Sequence, residues 1–108
     1  MAKVIWTDPA LTDLARIYDH IARETQSYDQ AEQFCLALLG TSYDRLGRFP
    51  DSGAPVEALR DFGARELYKH GYRIIYVHIA GGCYVAQCIH SSRELERHID
   101  ADRWSKFF

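Results

Sequence analysis

The sequence predicts an α+β domain, with elements in the order β-α-α-β-β-β and a C-terminal helix. Three observations predict it: a β-branched opening run, two amphipathic stretches parted by a short polar break, and three apolar runs joined by glycine-containing links. The expected architecture is an N-terminal strand and an antiparallel helical hairpin packed on a small antiparallel sheet.

Lys3-Val4-Ile5-Trp6 is short, β-branched and aromatic, and reads as the first strand. Thr7-Asp8-Pro9 then starts a helix, with Asp8 expected as N-cap and Pro9 at the first helical position, where a missing N–H costs nothing. Leu11, Leu14, Ala15, Tyr18, Ile21 and Ala22 recur every three or four residues in one apolar stripe. Asp13, Arg16, Asp19, Arg23 and Glu24 fall off that stripe. Past Thr25-Gln26-Ser27, a second stripe runs through Ala31, Phe34, Cys35, Leu38, Leu39, Ser42 and Leu46. It ends before Phe49-Pro50, because proline restricts the residue before it. So short a link predicts antiparallel helices.

Pro50 to Leu59, with Gly53 and Pro55, reads as a loop. Strands are expected near 64–69, 72–79 and 83–90, forming a meander through tight links at His70-Gly71 and Ala80-Gly81-Gly82. On the middle strand, Ile75, Val77 and Ile79 share a face expected to lie under the helices. Tyr72, Ile74, Tyr76 and His78 share the other, a tyrosine-lined face that reads either as sheet packing or as a contact surface, because tyrosines bury a ring while keeping a polar tip. A helix from about Arg93 to Trp104, anchored by Leu95 and Ile99, closes the chain.

A chain of 108 residues holds one hydrophobic core, hence one domain over 1–108. Hydrophobic residues at 47% and charged residues at 26% exclude a disordered chain. A net charge of −2 gives no overall attraction to nucleic acid, so direct nucleic-acid binding is not expected. Residues 1–44 hold three cations against seven anions and the remainder ten against eight, which places any cationic site in the second half. Cys35, Cys83 and Cys88 are odd in number, lack metal-type spacing and read as buried small hydrophobes in a reduced, cytoplasmic setting. No metal site is expected, and no signal peptide or membrane span is visible.

The element order, together with Phe49-Pro50, Ser52-Gly53, Arg65-Glu66-Leu67, Tyr72-Arg73-Ile74-Ile75-Tyr76 and the His90…Arg93 end, resembles the RelE/ParE superfamily of toxins from type II toxin–antitoxin modules. The resemblance covers nearly the whole chain. It implies a toxin neutralised by a cognate antitoxin. RelE-like members cleave messenger RNA on the ribosome, whereas ParE-like members poison DNA gyrase by protein–protein binding without nuclease chemistry, and no cofactor is implied. RNA cleavage needs a base, an acid and cations for the charge developing on phosphorus. The lysines that RelE carries on the preceding strand fall near Ala64 and Glu66, neither of which replaces an ammonium. That loss, with the net acidity, favours the ParE-like branch.

On this resemblance Arg65, Arg73, His90 and Arg93 form the target-binding surface, and Tyr72, Tyr76, Trp104, Phe107 and Phe108 meet a partner. A nuclease resembling YoeB would instead use Glu57 as base, His90 as acid and Arg73 as phosphate clamp. A non-toxic module that only sequesters antitoxin is a third reading. Each residue also has a plainer role. Arg73 can pair with Glu66 or Asp61, His90 can be a hydrogen-bonded strand end, and the apolar tail can fold back on the core or dock on another chain.

Overall fold

Lys3–Trp6 forms β1 in a computed structural model that describes residues 1–107, the side chain of Ala101 excepted. Helix α1 spans Asp8–Thr25 and α2 spans Tyr28–Arg48. A two-residue strand β2 (Ala54–Pro55) and a 3-10 segment (Glu57–Phe62) lead to the meander β3 (Arg65–Lys69), β4 (Tyr72–Ile79) and β5 (Gly82–His90). A 3-10 turn (Leu95–Arg97) and the short helix α3 (Ala101–Ser105) follow. Both hairpin links place consecutive residues at positive φ, His70-Gly71 and Ala80-Gly81, the backbone that a twisted hairpin demands.

The sheet order is β1-β5-β4-β3-β2. The meander is antiparallel as expected, but β1 joins β5 in parallel, so the sheet is mixed. The same pairing moves the cap of α1. Thr7, not Asp8, is the N-cap: its hydroxyl accepts from the Ala10 N–H and donates to the Val85 carbonyl, so contact with β5 settles the helix start one residue early. Asp8 then lies in the first turn, where a carboxylate complements the helix dipole.

The expected assignment of sheet faces is reversed. Tyr72, Ile74 and Tyr76 lie beneath the helices with Trp6, Leu14, Ile17, Leu38 and Leu46. Ile75 and Val77 face the other way, against Val56, Leu59, Leu95 and Trp104. Alternation separates two sets without saying which is covered, and here both are. Tyr76 is fully buried because its hydroxyl finds a partner, accepting the Gly53 N–H at 3.0 Å. Gly53 is held against that ring so closely that a Cβ would stand 2.7 Å from it. A bulge between Ile75 and Tyr76 leaves Ala86 unpaired on β5, so Cys83, Val85 and Cys88 can all face the helices.

The continuous C-terminal helix is not formed. Leu95 and Trp104 both enter the core beyond β4, yet nine residues of unbroken helix would set them about 180° apart. The chain breaks between them instead: the His98 carbonyl accepts from Gln87, and Asp100 caps α3 by accepting the Asp102 N–H. Trp104 is fully buried and Phe107 packs against Tyr84, so the tail folds back on the core. Phe108 lies outside the described residues.

Candidate functional site

Helix α1 carries Asp13, Arg16, His20 and Arg23 at steps of three and four residues, which bring them to one side of the helix. That side overlooks the end of β5. Beyond Trp6, β1 no longer covers the edge of β5, and two side chains take its place. Asp13 accepts the Cys88 N–H at 2.9 Å, and Arg103 donates to the Ala86 carbonyl at 3.2 Å. The two also bond each other in a bidentate pair, at 2.6 and 3.3 Å. This clasp ties α1, β5 and α3 together and is the floor of a cleft of about 690 Å³.

Arg16, His20 and Arg23 line one wall of the cleft, and His90, Arg93 and His98 line the other. Asp13 is the one carboxylate in the lining among the described residues, and Arg103 already neutralises it. Among the described residues Arg16, Arg23 and Arg93 make no ion pair, so three fixed positive charges remain uncompensated. His90 is less available. Its Nδ1 accepts the Ser92 N–H at 3.1 Å, which assigns the ring proton to Nε2, and its ring stands edge-on to Tyr72 with centroids 5.1 Å apart. Burial, foremost, pushes the Tyr72 hydroxyl pKa up, while the nearby Arg93 pulls it the other way.

The other cations expected at the site are bound elsewhere. Arg73 pairs with Glu66 through two nitrogens at 2.6 and 2.8 Å, with the two side chains only 16% and 8% exposed. It follows Tyr72 on β4, so it projects from the opposite face of the sheet to Tyr72 and His90. Arg65 donates to the Gly53 carbonyl at 2.8 Å. Glu57 is exposed and pairs with Arg60. Glu57, Arg73 and His90 are therefore not brought together, whereas His90 and Arg93 share the cleft. Tyr76 and Trp104 are enclosed in the core, and Tyr72 is buried with only an edge reaching the cleft beside His90, so the tyrosines do not form an exposed contact face.

Burial, then the Asp13 charge, pushes the Cys88 thiol up to about 12, and burial with Asp51 pushes Cys83 to about 11. Cys35 is raised by burial as well. All three are free and held as thiols rather than nucleophilic thiolates. Among the described residues, no three His, Cys, Asp or Glu side chains form a group that would hold a metal ion. No helix there is long and apolar enough to cross a membrane.

The family model of the ParE toxin of the type II toxin–antitoxin system parDE matches residues 4–95. The chain belongs to the ParE toxin family. A solved chain of the chromosomal ParDE toxin–antitoxin system from P. aeruginosa is similar in fold, at TM-score 0.67 and 19% identity, covering 83% of this chain and 96% of that one. No curated protein matches the sequence.

The matched region of this ParE-family chain takes in both walls of the cleft except His98. Charge counting placed the cations in the second half of the chain, but α1 supplies Arg16, His20 and Arg23 from the first. Their spacing was the available signal, and it reads equally as the solvated side of an amphipathic helix.

Proposed function

We propose that this chain is the toxin of a type II toxin–antitoxin pair, acting in the cytoplasm by binding DNA gyrase and stalling it with its DNA cleaved. The dispersal of the acid–base set carries this reading against the ribosome-dependent nuclease. Arg73 is committed to Glu66 on one face of the sheet, His90 lies on the other, and Glu57 is paired with Arg60 in solvent. An acid and a base act only within hydrogen-bond reach of the same substrate. Binding to a macromolecular target needs no such convergence.

The cognate antitoxin fits the outer side of the helical hairpin. Leu11, Leu14, Ala15, Tyr18 and Cys35 line an apolar groove of about 340 Å³ there, with Leu11 and Leu36 exposed. An amphipathic helix laid in such a groove covers its apolar residues. In the test, purified toxin is added to gyrase with supercoiled and relaxed DNA, in parallel with a translation extract. Loss of supercoiling with accumulation of cleaved DNA, reversed by antitoxin, is the expected result. Codon-specific breaks in ribosome-bound messages would overturn the gyrase reading, and harmless expression without antitoxin would favour a sequestering module.

A further inference from the structure

We infer that the cleft between α1 and the end of β5 binds the phosphodiester backbone of a nucleic acid through Arg16, Arg23 and Arg93. The inference stands whether or not gyrase is the target. In a chain of net charge −2, three guanidinium groups face one cleft, and among the described residues no carboxylate of the lining is left to meet them. The sole lining carboxylate is consumed by Arg103 and by the Cys88 N–H. Arginines kept together at the cost of mutual repulsion suit a ligand that carries repeated negative charge. Arg16 and Arg23 stand seven residues apart on α1, a rise of about 10 Å. Three nucleotides of a duplex strand rise by about the same distance.

An acidic peptide fits the same cleft less well. Peptides dock by adding to an open strand edge or by seating apolar anchors. The uncovered edge of β5 is closed, since Asp13 holds its N–H and Arg103 its carbonyl. The apolar lining residues Ile17, Cys88 and Ile89 are buried in the core and offer no pocket. What the cleft presents is charge and ring N–H groups.

The test is fluorescence anisotropy of the full chain, without gyrase, against a short labelled oligonucleotide, single-stranded and duplex, over a salt series. Three phosphate contacts predict a salt slope of about −2.1 for the single strand and −2.7 for the duplex, hence roughly 20- to 40-fold weaker binding between ~50 and ~200 mM salt. The variant Arg16→Gln/Arg23→Gln/Arg93→Gln should lose at least about tenfold in affinity and most of that slope. Arg60→Gln, at an exposed cation elsewhere, should bind as the parent does; circular dichroism checks that both variants fold. The inference is overturned if the triple variant binds like the parent, if Arg60→Gln loses as much, if no binding appears at low salt, or if a polyglutamate peptide competes better than unlabelled DNA. Because gyrase is absent, failure here leaves the gyrase assay to be decided by its own result.

Discussion

Three arginines of this chain are tied into the fold, and three others are left facing a cleft. Arg65, Arg73 and Arg103 each end on an internal acceptor: the Gly53 carbonyl, the Glu66 carboxylate, and Asp13 with the Ala86 carbonyl. Arg16, Arg23 and Arg93 are exposed and have no ion-pair partner among the described residues. The first group lies on strands and in the C-terminal helix, where neighbouring elements bring acceptors within reach. The second lies on the outer side of α1 and just past β5. An arginine in a recognisable strand segment is thus weak grounds for a site. Whether a carboxylate or carbonyl shares its face decides its role.

The largest effect should come from breaking the clasp. Asp13→Ala removes the acceptor of the Cys88 N–H and leaves the Arg103 guanidinium poorly compensated in a site where the pair is mostly buried. Removing one partner of a buried pair costs about 3–5 kcal/mol. Urea denaturation should show a loss in that range, with most of the same loss for Arg103→Ala and strong non-additivity in the double variant, since both act on one node. A loss under ~1 kcal/mol would mean that Arg103 is no more tied down than the cleft arginines.

The next effect tests whether Arg73 is structural. Arg73→Met strands Glu66 in a buried position and should cost about 3 kcal/mol, the low end for a buried pair because no backbone hydrogen bond is lost with it. Adding Glu66→Leu should restore most of that stability, because an apolar pair of similar size dispenses with both charges. A toxicity assay on the restored double variant then separates the roles. Retained toxicity places Arg73 in the scaffold, while toxicity lost with stability regained would return it to the functional surface.

How far such distinctions are legible in the sequence depends on the range of the interaction. Helices α1 and α2 were legible because their apolar stripes are local, and the hairpins because the glycine in His70-Gly71 and in Ala80-Gly81 takes positive φ at no steric cost; the continuous C-terminal helix and the exact start of α1 were not, since packing and the contact with β5 decide them. The sheet faces were not, since the cover on Ile75 and Val77 comes from Leu95 and Trp104, distant in sequence. Nor was the Asp13–Arg103 clasp, whose members are 90 positions apart and individually look like ordinary surface charges. The Arg73–Glu66 pair was legible as one of two options, because both residues sit on adjoining strands of a meander. The cleft fell between these cases: its α1 wall was written in the spacing 16, 20, 23, but the opposite wall that gives the spacing meaning appears only once β5 and the C-terminal segment are in place.

The smallest effect sharpens the comparison most. Arg16→Gln and Arg23→Gln remove exposed charges that make no ion pair, and surface changes of that kind move stability by no more than about 0.5 kcal/mol. The sign is informative as well. Two turns of helix set the backbone positions of Arg16 and Arg23 about 10 Å apart along the axis, on the scale of one Debye length at physiological salt, so repulsion between their charges is weak. Neutralising either should leave stability unchanged or raise it slightly, more visibly at low salt. A clear destabilisation, beyond ~1 kcal/mol, would show that these arginines serve the fold as Arg73 and Arg103 do, and the distinction between the two groups would collapse. A neutral change means the fold does not need these charges, and a favourable one means the chain keeps them at some cost to itself, which leaves a role outside the fold as the reason for keeping them.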